Sequence, residues 1–111
     1  MNRSQIDRLV AGVPAGTDAR HRRRVDGYAA AARRCDERLA ALRIELERAW
    51  SAVDGAAASD GEAAAADEVL RLARELDALE RIQPRVDSWL RVAVSAVSDD
   101  PGPEPFGEGP A

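Results

Sequence analysis

An all-α fold is predicted for this chain: an antiparallel hairpin of two long helices with coiled-coil character. Three observations carry that prediction. Small or apolar residues fall at Val25, Tyr28, Ala32, Cys35, Leu39, Leu42, Leu46, Ala49 and Val53, in alternating steps of three and four. This is the a/d spacing of a helix that lies along another helix. A second row of the same kind runs through Val69, Leu72, Leu76, Leu79, Val86, Leu90, Ala93 and Val97. Between the rows, two glycines and a Ser-x-x-Glu sequence mark a turn.

The elements follow in order. Residues 3–13 read as a short amphipathic helix with Ile6, Leu9, Val10 and Val13 on one face and Ser4 as N-cap. Gly12 and Pro14 end it, and the short connector closes a first unit at 1–16. Thr17 is the expected cap of the first long helix, placed at about 18–54 and roughly 55 Å long at ~1.5 Å per residue. Gly27 lies inside it, at a cost of about 1 kcal/mol relative to alanine, so its first turns are the ones expected to fray. Gly55 stands where a C′ glycine would end the helix. The capping box formed by Ser59 and Glu62 starts the return helix at Asp60.

The return row keeps its heptad except at Gln83, and Pro84 follows. A proline inside a helix removes one backbone hydrogen bond and clashes with the preceding turn. A break or kink is therefore expected at 82–84, dividing the return into 60–82 and about 84–98. The hairpin unit then spans 17–98. Residues 99–111 carry four prolines, three glycines and four acids and read as a disordered tail.

Composition fits one small domain. Hydrophobic residues make up 45% and charged residues 32% of 111 residues, an ordinary globular balance. Aromatics are 4%, so the apolar content is mostly alanine, and close-packed helices suit it better than a bulky centre. All 16 basic residues are arginine, which reads as coding bias in a GC-rich genome. Net charge is −4, divided between 11 arginines against 8 acids in residues 1–54 and 5 against 12 in residues 55–111. An acidic total argues against nucleic acid as the main partner, and the division suits two halves that pair with each other. If the turn centres near residue 57, Arg38 falls opposite Asp77, Arg48 opposite Asp67 and Arg34 opposite Glu80.

Cys35 is the single cysteine, which excludes an intrachain disulfide and suits a reducing cytoplasm. No run of 18 apolar residues predicts a membrane span. Asp7 and Arg8 interrupt any apolar signal region at the start.

No catalytic residue, cofactor or metal site is predicted. Cys35 sits at a d position and reads as a small core residue, with a redox thiol or an intermolecular disulfide as the alternative. His21 is the single histidine and lies among arginines, a setting hostile to a cation. None of Glu45, Glu47, Glu62, Asp67 or Glu68 carries the Glu-x-x-His spacing of a di-iron bundle. Glycine-rich phosphate loops and nucleophile elbows are missing from the sequence. The chain is therefore read as non-enzymatic.

Two surfaces are candidates for binding. Ile44 takes an f position, Trp50 an e position, and Trp89 and Val94 lie in a segment that is apolar on more than one face. These four form the candidate partner interface, with Leu70 as a further exposed apolar position. Arg20, Arg22, Arg23 and Arg24 form a candidate anion contact. Their structural alternative is a solvated helix start that meets Asp99 and Asp100. A lone hairpin of this length leaves much of each helix wet, so the short N-terminal helix, a second copy completing a four-helix bundle, or a foreign protein is expected to cover the rest.

The predicted function is accordingly a protein–protein interaction or assembly module acting through helix faces. A regulatory protein contacting nucleic acid or an acidic partner through the arginine run is the second reading. A third comes from overall form. An alanine-rich, acidic hairpin with Trp50 near its turn resembles the small type VII-secreted helical hairpin proteins, which implies a secreted or accessory role. Trp50 is followed by Ser51 and Ala52, not by the x-Gly of that family's Trp-x-Gly turn, and its tyrosine-based secretion motif is missing from the tail.

Overall fold

Asn2, two residues before the expected cap, starts the first helix in the computed structural model, which describes residues 1–98. The disordered tail expected at 99–111, with Asp99 and Asp100, lies outside the described residues. Helix α1 runs Arg3–Ala11, α2 Ala19–Gly55 and α3 Glu62–Ser98. The two long helices pack against each other and α1 packs on both, chiefly on α2. Among the described residues there is no strand.

Both predicted seams are the observed core. Val25, Ala32, Cys35, Leu39, Leu42 and Ala49 are buried on α2, and Val69, Leu72, Val86, Leu90, Ala93 and Val97 on α3. Tyr28, Leu46, Val53, Leu76, Leu79 and Gln83 are half-buried. The core divides into two clusters. One, at the turn, holds Leu42, Ala49, Val69 and Leu72. The other, at the open end, adds Ile6 and Val13 to Val25, Ala29, Ala32 and the last turns of α3. Cys35 accordingly lies inside the hairpin, its Sγ 4.0 Å from the Leu79 carbonyl oxygen.

The caps differ from expectation. The Asn2 side chain accepts from the Gln5 N–H at 2.9 Å while Gln5 Oε1 accepts from the Asn2 N–H at 2.8 Å, a complete capping box in place of Ser4. Asp18, not Thr17, caps α2, its Oδ1 accepting from the Arg20 N–H at 3.0 Å. That bond holds the Asp18 carboxyl below the usual carboxylate range. At the turn the left-handed residue is Ala58 (φ 62°), while Gly55 is the last helical residue of α2. Glu62 does reach back, but to the Ala58 N–H at 3.2 Å, and α3 begins at Glu62 instead of Asp60.

α3 is one helix from Glu62 to Ser98 and carries Pro84 inside it.

The charge pairings are re-sorted. Arg38 meets Glu75, not Asp77, and Asp77 pairs with Arg81 on its own helix. Glu80 lies 3.6 Å from Arg43, not Arg34, and no Arg48–Asp67 ion pair forms among the described residues. The expected register placed residues at the right level but ignored which flank they occupy. Arg38 and Glu75 are both at g positions beside the seam, and Arg43 and Glu80 are both at e positions. Asp77 is at b, on the flank away from Arg38.

Candidate interaction surfaces

The position of α1 decides which faces are free. It lies antiparallel to α2, with Arg3 on Glu37 at 3.2 Å and Asp7 on Arg33 at 2.9 Å. Its Ile6 is fully buried in the open-end cluster. The amino terminus of Met1 pairs with the buried Asp87 through Oδ2, and among the described residues Asp87 Oδ1 has no partner. Arg33, Glu37, Asp87 and Val94 fall at b, f, e and e positions. α1 therefore fills the groove on the e side of the hairpin. It covers only the half toward the open end, since its first residues already reach Glu37 and Asp87.

Val94 is thus removed from the candidate interface. It is buried against α1 in the open-end core, because an e position there faces the groove that α1 occupies. Ile44, Trp50 and Trp89 each keep half or more of their surface exposed. The structure does not bring these three together. Trp50 is at an e position near the turn, and Trp89 is at a g position near the open end. Their levels differ by about 25 residues, roughly 38 Å along the hairpin.

Two separate surfaces result. On the e side, beyond the start of α1, Trp50 and Leu70 are exposed, with Ile44 on the adjoining back of α2. Here the bundle is two helices thick. On the opposite flank, α3 exposes Ile82, Trp89 and Val92 at g and c positions. The Trp89 ring lies 6.1 Å from that of Tyr28, tilted by 42°, and the Arg24 guanidinium lies 5.9 Å from the Tyr28 centroid. This is a graded stack of cation and two aromatic rings. The strip formed by Ile82, Trp89 and Val92 was readable as a second row of apolar residues at heptad spacing beside the main one.

The arginine run is partly used within the fold. Arg22 donates from Nη2 to the Pro14 carbonyl at 3.0 Å and ties the connector to α2. Arg24 sits over Tyr28. Arg20 and Arg23 are exposed, and His21 is exposed with its Nδ1 3.4 Å from Asp18. Cationic side chains at a helix N-terminus oppose its dipole, and the Asp18 cap and the Pro14 carbonyl offset that cost.

Toward the turn, the same flank is neutralised by acids. Arg38 donates to both Glu75 oxygens, at 2.7 and 2.9 Å, and to Glu45 at 3.1 Å. Arg71 donates to both oxygens of Glu68. The guanidinium bonds hold Glu75 and Glu68 below the usual carboxylate range. Burial pushes the Cys35 thiol up, helped by the charges of Asp87 and Asp36.

Among the described residues no helix is long and apolar enough to cross a membrane, and no group of three or more His, Cys, Asp or Glu side chains is placed to hold a metal ion. The class defined by this geometry is an all-helical hairpin braced at its open end by a third helix. Comparison with protein-family models, curated proteins and solved structures finds no match to this chain.

Proposed function

We propose that this protein is a non-catalytic interaction or assembly module that binds another protein, or a second copy of itself, through a helix face. One observation carries the reading. α1 fills the e-side groove over only half its length, and Trp50 and Leu70 lie exposed where that groove continues toward the turn. A partner helix laid in line with α1 would complete a three-helix bundle along the whole hairpin. The small residues Ala66 and Ala73, on the e side of α3, favour close approach there. Tryptophan is the residue type most enriched where interfaces concentrate their energy.

The test is isolation of the full chain from its host with whatever it holds, compared with Trp50→Glu and Leu70→Glu. Both substitutions are at exposed positions and are expected to leave the helical melt unchanged. Loss of the bound partner, or of a dimer seen by light scattering, in both variants supports the reading. Binding that survives both counts against it.

A second reading is favoured by the stack of Arg24, Tyr28 and Trp89: contact with an acidic partner on the opposite flank. The same test separates it, because Trp50 and Leu70 lie on the other side of the hairpin.

A further inference from the structure

α3 carries a second heptad row beside its buried one. Ala78, Ile82, Arg85, Trp89, Val92 and Ala96 follow each other in alternating steps of four and three, and all are exposed. The row holds the large apolar side chains Ile82, Trp89 and Val92, each about half in solvent. It is about 27 Å long at ~1.5 Å per residue. Such a row is what a helix presents to another helix running along it. Among the described residues no third helix lies there, since α2 packs on the buried row and α1 on the e side.

Charge says what kind of helix fits. Toward the turn the arginines of this flank are answered by acids, as Arg38 and Arg71 show. Toward the open end, Arg24 and Arg34 on α2 and Arg85 on α3 are exposed at c and g positions. Among the described residues no acid occupies a c or g position of either helix in that half. The apolar row is thus bordered by unanswered positive charge, with the Tyr28–Trp89 pair at its centre. A second copy presenting the same row would set these arginines against their own counterparts, a like-charge contact that disfavours self-pairing. Nucleic acid would use the arginines but not Ile82 and Val92, and the chain as a whole is acidic.

We propose, building on the second reading above, that this flank docks an acidic amphipathic helix of another protein. The apolar stripe of that helix lies along Ile82, Trp89 and Val92, and its carboxylates face Arg24, Arg34 and Arg85. The partner then runs beside α3 as a coiled-coil neighbour, on the opposite flank from Trp50 and Leu70.

The experiment uses the full chain with Trp50→Phe, which leaves Trp89 as the sole tryptophan. The probe is a tryptophan-free synthetic peptide of about three heptads with Leu at a and d and Glu at e and g, whose glutamates oppose its self-pairing. Its control has the same composition in scrambled order. Emission wavelength and acrylamide quenching of Trp89 are read as peptide is added. The heptad peptide should shift the emission to the blue and protect Trp89 in a saturable way. The effect should weaken at about 1 M salt, where the Debye length is about 3 Å. It should be lost in Val92→Glu, and reduced in the double variant Arg34→Gln, Arg85→Gln. Equal protection by the scrambled peptide overturns the helical docking and leaves an acidic partner standing. No protection by either peptide overturns both. Protection by a mixed-sequence oligonucleotide in place of the peptide assigns the surface to nucleic acid and overturns the proposal. Protection that grows with the concentration of the chain alone assigns it to a second copy, with the same consequence.

Discussion

Arg38 on α2 grips Glu75 on α3 with two parallel hydrogen bonds, from Nε at 2.7 Å and from Nη2 at 2.9 Å. This fork-to-fork pair links the long helices at g positions and fixes their relative level. It also makes stability depend on pH. The guanidinium holds the Glu75 carboxyl below the ordinary carboxylate value. A carboxyl with a lowered folded pKa contributes fully above its unfolded value and loses that contribution as pH falls through the folded one. The parent should therefore lose melting temperature more steeply than Glu75→Gln as pH is lowered from about 5. The gap should narrow at high salt, since both partners are partly exposed. Parallel melting curves for the two proteins across acid pH would show that the pair does not stabilise the fold.

The seams were legible because burial acts directly on the a/d pattern. Each residue of the predicted rows is buried or half-buried, including Gln83. What could not be read was anything set by a flank or a terminus. Arg38 chose Glu75 over Asp77 because g positions face each other across an antiparallel pair, a fact that level-matching alone ignores. Ser4 and Thr17 lost their caps to Asn2 and Asp18, each one or two residues away, because any short polar side chain serves and the competition is decided by local dihedrals. Val94 resembled an interface residue until α1 was placed, since its burial depends on a helix more than 80 residues distant in sequence. Trp50 and Ile44, correctly read as exposed, needed no tertiary knowledge beyond the heptad.

Gly27 offers a direct gain in stability. It sits in the interior of α2 with helical backbone, and a Cβ built there meets nothing within 4 Å. Replacing an exposed mid-helix glycine with alanine removes the entropy cost of the glycine without steric penalty. Gly27→Ala should stabilise the protein by about 1 kcal/mol. Urea unfolding followed by circular dichroism measures this, with the midpoint rising and the slope unchanged. A lower midpoint would mean that this stretch of α2 is not helical in solution.

Cys35 should behave as a core group. Its thiol is buried between the long helices and its pKa is pushed above the ordinary thiol value, first by burial and then by nearby carboxylates. The fold thus favours the neutral thiol. That preference is full below the unfolded thiol pKa and is lost as pH rises through the higher folded one. At neutral pH, modification by a thiol reagent is expected to be slow and to accelerate sharply in denaturant. Fast labelling of the native chain at pH 7 would place the sulfur at the surface.

The role of α1 is tested at Ile6. Its side chain is fully buried among Val25, Ala29 and Leu90 in the open-end cluster, and it is the one residue of α1 itself that is wholly inside. The ion pairs that flank it, Arg3 with Glu37 and Asp7 with Arg33, are exposed and align the helix more than they hold it. Ile6→Ala should therefore cost about 2–4 kcal/mol, the range for deleting a buried aliphatic side chain. Undocking also uncovers Val94 and Val86, so the variant should expose apolar surface at the open end and bind a hydrophobic dye before the hairpin itself melts. The matched control is Ile44→Ala, where the same deletion on an exposed face should change stability by less than about 0.5 kcal/mol. If the two alanine variants unfold at the same denaturant concentration, α1 is not part of the folded core.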